Sequence, residues 1–302
     1  MTDLTLWLLL FFFLTILLTG APIGAALGLS SAIVVYATMN VPLVVVAQRM
    51  FTSIDSFSFM AVPFFMLAGS FMSSGGVTKR LVDFANALVG ALAGGLALVV
   101  AVAGMFFAAL SGSSAATTAA IGVAMIDEME KRGYPKSFAA AVVATGGTVG
   151  IVIPPSVTMV VYGVIAGTSI GDLFMGGFAP GILMGGATCL VSWLIARKRG
   201  YKGEGKASLA RIIRTFKDCI WALLMPVIIL GGIYGGIFTP TEASAVAAVY
   251  GAFIGLFVYK DLKWKEIPKV LLSAATSTTM IMYVVGAANL FGWILTNAQV
   301  PH

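Results

Sequence analysis

A chain of 302 residues with 59% hydrophobic and only 10% charged residues, and a mean hydropathy of +1.01, is no ordinary soluble domain, in which about 25% of residues carry charge. The net charge of +6 fits basic loops at one face of a membrane better than a nucleic-acid surface. The only histidine is His302, and Cys189 and Cys219 lie in apolar runs as small core residues. With no His/Cys/carboxylate cluster a metal-dependent enzyme has no support, and with no Walker motif neither has ATP hydrolysis.

The expected fold is an all-α polytopic membrane protein. No Lys or Arg precedes the first apolar run, so that run reads as a retained span, not a cleaved signal peptide. Leu4–Leu18 and Pro22–Met39 are together too long for one crossing and part at Thr19-Gly20-Ala21-Pro22. Phe57–Met72 is the third span. Val77–Leu88 places Leu81, Phe84, Ala85 and Leu88 at helical spacing and reads as an interfacial helix. Gly94–Met129 carries a polar break and is predicted to be a re-entrant hairpin. Phe138–Ala166 carries a Gly/Pro break and is predicted to be one broken crossing. Pro180–Ala196, Ile220–Phe238, Ala243–Tyr259 and Thr278–Leu295 follow, with Ser208–Lys217 as a second interfacial helix.

Charge constrains this assignment. Gly75–Gly90, Glu130–Ser137, Arg197–Asp218 and Lys260–Lys269 hold 17 of the 18 Lys/Arg, and Arg49 is the other. If Gly94–Met129 returns to its own side, all four segments share one face, which the positive-inside rule makes cytoplasmic. The N-terminus, three crossings away, is then periplasmic. Trp7–Tyr36 resembles Trp221–Tyr259 in outline, each a span, a short turn and a small-residue-rich span. The two turns fall on opposite faces, which gives an inverted repeat, an architecture of secondary transporters. The chain divides on this reading into spans of repeat 1 with an interfacial helix (1–91), a transport core (92–167), a span with a basic arm (168–218) and the start of repeat 2 (219–302).

The two breaks carry the chemistry. Non-helical backbone at membrane depth persists only where protein buries it or where it lines a wet cavity. The first break offers Ser111, Gly112, Ser113, Ser114 and Thr117. A helix starting near Ser114 points its free N–H groups at the tip, which suits an anion, and the helix ending near Leu110 offers carbonyls, which suit a cation. The second break offers Gly147, Thr148, Gly150, Pro154, Pro155 and Ser156. There the prolines remove two N–H donors and leave carbonyls without helical partners. One isolated Ser-Gly-Ser is more often a close-packing motif; two breaks around a charge-supported hairpin favour a substrate and sodium site. Gly94-Gly95, Gly176-Gly177, Gly185-Gly186 and Gly231-Gly232 read as packing. No Asp or Glu falls deep in an assigned span, so a cation held by neutral oxygens is expected to drive transport, and no other cofactor.

On Ser111-Gly112-Ser113-Ser114-Ala115-Ala116-Thr117, Gly146–Ser156, Thr239-Pro240-Thr241-Glu242-Ala243 and Gly286-Ala287-Ala288, the chain resembles the large membrane (M) subunit of tripartite ATP-independent periplasmic (TRAP) transporters. The resemblance covers the whole chain. It implies an elevator-type, sodium-driven importer of an organic acid, of C4-dicarboxylate or sialic-acid type, in the bacterial inner membrane. It also implies a periplasmic substrate-binding protein and a small membrane (Q) subunit as partners. It maps the first hairpin tip onto Ser111–Ser114 and the first broken helix onto Gly146–Ser156, and some relatives carry Asp where this chain has Thr117. A second hairpin and broken helix are expected beyond Leu295, so the sequence reads as C-terminally truncated. Competing readings are a permease of another ion-coupled inverted-repeat family carrying an inorganic anion, an inactive or scaffold subunit, and an intramembrane enzyme, the last without a visible nucleophile–base pair.

Overall fold

The computed structural model describes residues 2–39, 41–203 and 208–299; His302 lies outside them. All regular structure among these residues is helical. The chain forms two compact units, one of residues 1–59 with 275–302 and one of residues 60–274.

In the first unit α1 (Thr2–Leu18) packs on α2 (Ile23–Thr38), and α3 (Val44–Ile54) follows. The spans predicted at Leu4–Leu18 and Pro22–Met39 are α1 and α2, parted at Gly20, whose φ is +83°. Helix α3 has no counterpart among the predicted elements. Its 11 residues are too few to span a bilayer, and Gln48 and Arg49 interrupt its apolar residues. Leu9, Val34, Val35 and Ile294 form the core of this unit. Arg49, the one basic residue outside the four basic segments, lies 4.9 Å from the Trp293 ring centroid, where the ring face stabilises its charge.

The second unit holds α4 (Ala61–Ser74), α5 (Val77–Val89), α6 (Gly95–Ser111), α7 (Ser114–Lys131), α8 (Lys136–Thr148), α9 (Val157–Ala166), α10 (Ile170–Lys198), α11 (Leu209–Tyr234) and α12 (Pro240–Phe253). A π-helical turn, Ile254–Val258, extends α12. The last helix, α13 (Ile267–Asn297), contributes its first residues here and the rest to the first unit. Among the described residues, five helical segments are long and apolar enough to cross a membrane: Phe57–Ser74, Ile170–Lys198, Leu209–Tyr234, Pro240–Val258 and Trp264–Asn297. Helices α6 and α7, at 17 and 18 residues, are about 26 Å long at 1.5 Å per residue, somewhat short of a roughly 30 Å hydrocarbon layer.

Three boundaries differ from the sequence expectations. Helix α10 begins ten residues before Pro180, where the Ser169 hydroxyl accepts from the Asp172 N–H at 3.2 Å. Pro180 sits inside the helix, as membrane helices tolerate. The predicted interfacial helix Ser208–Lys217 is the first part of α11, which runs unbroken through residues 218 and 219 because no Gly or Pro intervenes before Pro226. Helix α13 begins at Ile267, not Thr278. The hydroxyl-rich run before Met280 does not break it; the Thr279 hydroxyl donates back to the Ala275 carbonyl of its own helix at 2.8 Å.

The four basic segments converge on one end of this unit. Arg80 of the first pairs with Asp261 of the last. Tyr134 stacks on Tyr201 with ring centroids 4.1 Å apart, and the Gly94 N–H donates to the Tyr201 carbonyl at 3.0 Å. Had Gly94–Met129 crossed once, Gly75–Gly90 and Glu130–Ser137 would lie a bilayer apart. Both instead meet Arg197–Asp218, Phe84 at Phe216 with ring centroids 5.7 Å apart and Tyr134 at Tyr201, as a returning hairpin requires.

Candidate functional site

The two breaks face each other. Helix α6 ends at Ser111, and Gly112 caps it with φ +60° and ψ 16°, a left-handed conformation that glycine adopts without cost. Ser113 turns extended and becomes the N-cap of α7, its hydroxyl accepting from the Ala116 N–H at 3.4 Å. In the second break α8 gives way to a 3₁₀ turn, Val149–Ile151, and then to a non-helical stretch with a cis bond between Pro154 and Pro155. Ser156 caps α9, its hydroxyl accepting from the Met159 N–H at 3.4 Å and donating to the Ile151 carbonyl at 2.8 Å. Each break is therefore a helix C-terminus, a short irregular link and a serine-capped helix N-terminus.

Backbone joins them. The Val157 N–H, at the start of α9, donates to the Gly112 carbonyl at 3.1 Å. A Cβ at Gly112 would lie 2.7 Å from the Pro155 carbonyl oxygen, and one at Gly150 would lie 2.8 Å from both the Ser113 carbonyl and the Thr117 hydroxyl. Gly147 meets α7 in the same way, at the Thr118 side chain. Only hydrogen at these positions allows the approach.

Two hydroxyls of the hairpin tip pair with each other. Thr117 is fully buried. Its hydroxyl donates to the Ser113 carbonyl at 2.8 Å and lies 2.9 Å from the Ser111 hydroxyl. Ser111 and Ser156 are also buried, and Ser114 sits half-buried at the tip with no side-chain hydrogen bond among the described residues. No backbone N–H or side chain among them donates to the carbonyls of Val152, Ile153, Pro154 or Pro155. The junction thus offers neutral oxygens and two helix N-termini, and contains no Asp, Glu or His among the described residues.

Of the residues singled out from sequence, Ser111, Gly112, Ser113, Thr117, Gly150, Pro155 and Ser156 meet directly. Ser114, Gly147 and Pro154 adjoin them. Thr148 is placed apart: it is exposed on α8, and its hydroxyl donates back to the Thr145 carbonyl at 2.7 Å. Two backing residues escape the sequence reading. Gly69 of α4 brings that helix against Ser111, where a Cβ would lie 3.2 Å from the Ser111 Cα. Gly177 of α10, assigned above to packing, faces the second break, where a Cβ would lie 2.6 Å from the Val152 carbonyl. Each is a single small residue in an apolar run, a signal that sequence alone does not separate from ordinary helix contacts.

This architecture has relatives. Residues 10–302 match the family described as the DctM component of tripartite ATP-independent periplasmic transporters. The C4-dicarboxylate TRAP transporter large permease protein of Rhodobacter capsulatus is 43% identical, over 95% of this chain and 69% of its own length. The isethionate TRAP transporter permease protein DctMQ of Oleidesulfovibrio alaskensis is 48% identical, over 96% of this chain and 46% of its own. The C4-dicarboxylate large permease protein of Pseudomonas aeruginosa is 46% identical, over 91% and 65%. The chain thus spans between about half and two thirds of the length of these curated relatives. With its facing helix breaks, its bilayer-length helices and a match along nearly its whole length, the chain is a multi-pass membrane protein that belongs to the DctM family of TRAP transporter large permeases.

Proposed function

We propose that this chain is the membrane permease of a sodium-coupled importer of small organic anions. One observation carries the reading: two helix breaks meet backbone to backbone, beside buried hydroxyls and unengaged backbone carbonyls, with no titratable side chain there among the described residues. A hard cation is well served by neutral oxygens, whereas a carried proton needs a group that titrates. The N-termini of α7 and α9 start at the same junction and favour negative charge. The relatives' names point the same way, since a C4-dicarboxylate and isethionate share an anionic head and little else. The substrate class is therefore a small carboxylate or sulfonate.

The membrane is the bacterial inner membrane, with the basic end of the second unit in the cytoplasm and the N-terminus in the periplasm. A periplasmic binding protein delivers the anion, and a small membrane subunit completes the permease; the joined name DctMQ of one relative supports that second partner. The hairpin and broken helix move together as an elevator core, and the helical pairs α1–α2 and α11–α12 are inverted repeats.

The test is uptake into proteoliposomes carrying the chain with its small subunit and binding protein. Uptake is expected to need an inward sodium gradient and to persist when the proton gradient is collapsed. Uptake that follows a pH gradient in sodium-free buffer would refute sodium coupling.

A further inference from the structure

A second concavity, of about 800 Å³, opens at the basic end of the second unit between α5, the first turns of α11 and the turn after α12. Lys79 and Arg80 of α5 line it with Arg211, Arg214 and Lys217 of α11. Three carboxylates share it: Asp83, Asp218 and Asp261. Arg80 and Asp261 are committed to each other. The Arg80 guanidinium also donates to the Gly76 carbonyl at 2.9 Å and lies 4.0 Å over the Tyr259 ring, so it stands as a fixed cation in the wall. Four cations then remain against Asp83 and Asp218, none of them in an ion pair among the described residues. Such a surplus in one concavity draws a phosphate-bearing anion.

The flanks say what kind of anion. Trp221, one turn beyond Lys217 on α11, lines the same concavity and is 46% exposed. Below it α11 continues as an apolar span. A charged concavity bordered by an exposed tryptophan, at the polar end of a spanning helix, has the layout of a membrane interface. A free anion needs no such apolar border, but a lipid's acyl chains do. The basic stripe that reads from sequence as an interfacial arm thus faces a concavity.

We propose that this concavity binds the phosphodiester headgroup of an anionic phospholipid, with the acyl chains running from Trp221 along the apolar span of α11. The bound lipid bridges α5 to α11 at the end of the unit where the hairpin begins. It is separate from the junction of the two breaks and does not depend on what is transported.

The test is binding of fluorescent phosphatidylglycerol to the purified protein in phosphatidylcholine nanodiscs. The Arg211→Gln/Arg214→Gln variant is expected to weaken it roughly 30-fold, since each basic side chain near a membrane surface contributes about fivefold. Both side chains are exposed, so the fold should persist, and Lys217→Gln provides a milder variant with about fivefold loss. Lys265→Gln/Lys269→Gln removes the same charge outside the concavity and should leave binding nearly unchanged. Equal weakening by both double variants would reduce the effect to a general surface field and overturn the site. Unchanged binding in Arg211→Gln/Arg214→Gln would overturn it too. Displacement of the lipid by millimolar inorganic phosphate would mean that a free anion, not a lipid, is the occupant.

Discussion

The contact between the two breaks can be tested at a single atom. Gly112 and Gly167 cap helices α6 and α9 in nearly the same left-handed conformation, φ +60° and ψ 16° against φ +63° and ψ 28°. A Cβ at Gly167 meets nothing within 4 Å, whereas one at Gly112 lies 2.7 Å from the Pro155 carbonyl oxygen. Gly167→Ala therefore carries only the left-handed strain, about 1–2 kcal/mol. Gly112→Ala carries that strain and must also push Pro155 away, pulling the Val157 N–H from the Gly112 carbonyl 3.1 Å away. A buried donor left without its partner costs about 1–3 kcal/mol, so Gly112→Ala should be the more destabilising by that margin. Equilibrium unfolding of both variants in mixed detergent micelles measures the difference. In the uptake assay Gly112→Ala should be strongly impaired and Gly167→Ala close to wild type. Equal destabilisation would refute the close approach of the hairpin tip to the broken helix, and the junction as a site with it.

Two further outcomes are expected. Ser113→Ala removes the N-cap of α7, a loss of about 1 kcal/mol, and should cut sodium-driven uptake while leaving expression intact; unchanged uptake across a sodium titration would remove the hairpin tip from the ion site. Single cysteines at Ser74 and Gly133 should both resist an impermeant thiol reagent applied from the periplasmic side, because the segments they border converge on the basic end of one unit; labelling of one alone would mean that Gly94–Met129 crosses fully.

The membrane class, the hairpin and the broken helix are legible in the sequence because each leaves a coarse mark: an uncharged polar patch in an apolar run, or paired prolines inside a span. Helix starts are less so. At Pro180, and at the hydroxyl-rich run before Met280, residues that break helices in water stay helical here, and Thr279 bonds back to its own helix. Helix α3 escapes because an 11-residue amphipathic segment resembles a connecting loop in a hydropathy reading. The lipid-facing concavity is half visible. The alternation of Arg211, Arg214 and Lys217 with Leu209 and Ile213 marks a helix at an interface, but only the fold brings Lys79 and Arg80 opposite them.

The glycines explain why composition alone misplaces parts of the site. What separates one that builds the junction from one that packs a helix is the atom a Cβ would strike. At Gly112 and Gly150 that atom is a backbone oxygen of the opposite break, Pro155 or Ser113. At Gly185 and Gly232 it is a side chain, Met105 or Phe238, which can turn aside. Backbone cannot yield in that way, because its hydrogen bonds and its helix ends move with it. By this measure Gly177 leaves the packing group: its nearest neighbours include the Val152 carbonyl, one of the oxygens without a donor at the second break. Helix α10 thus forms a wall of the break at the Val152 carbonyl. A larger residue there would disturb the oxygens proposed to hold the cation, although Gly177 carries no polar group of its own.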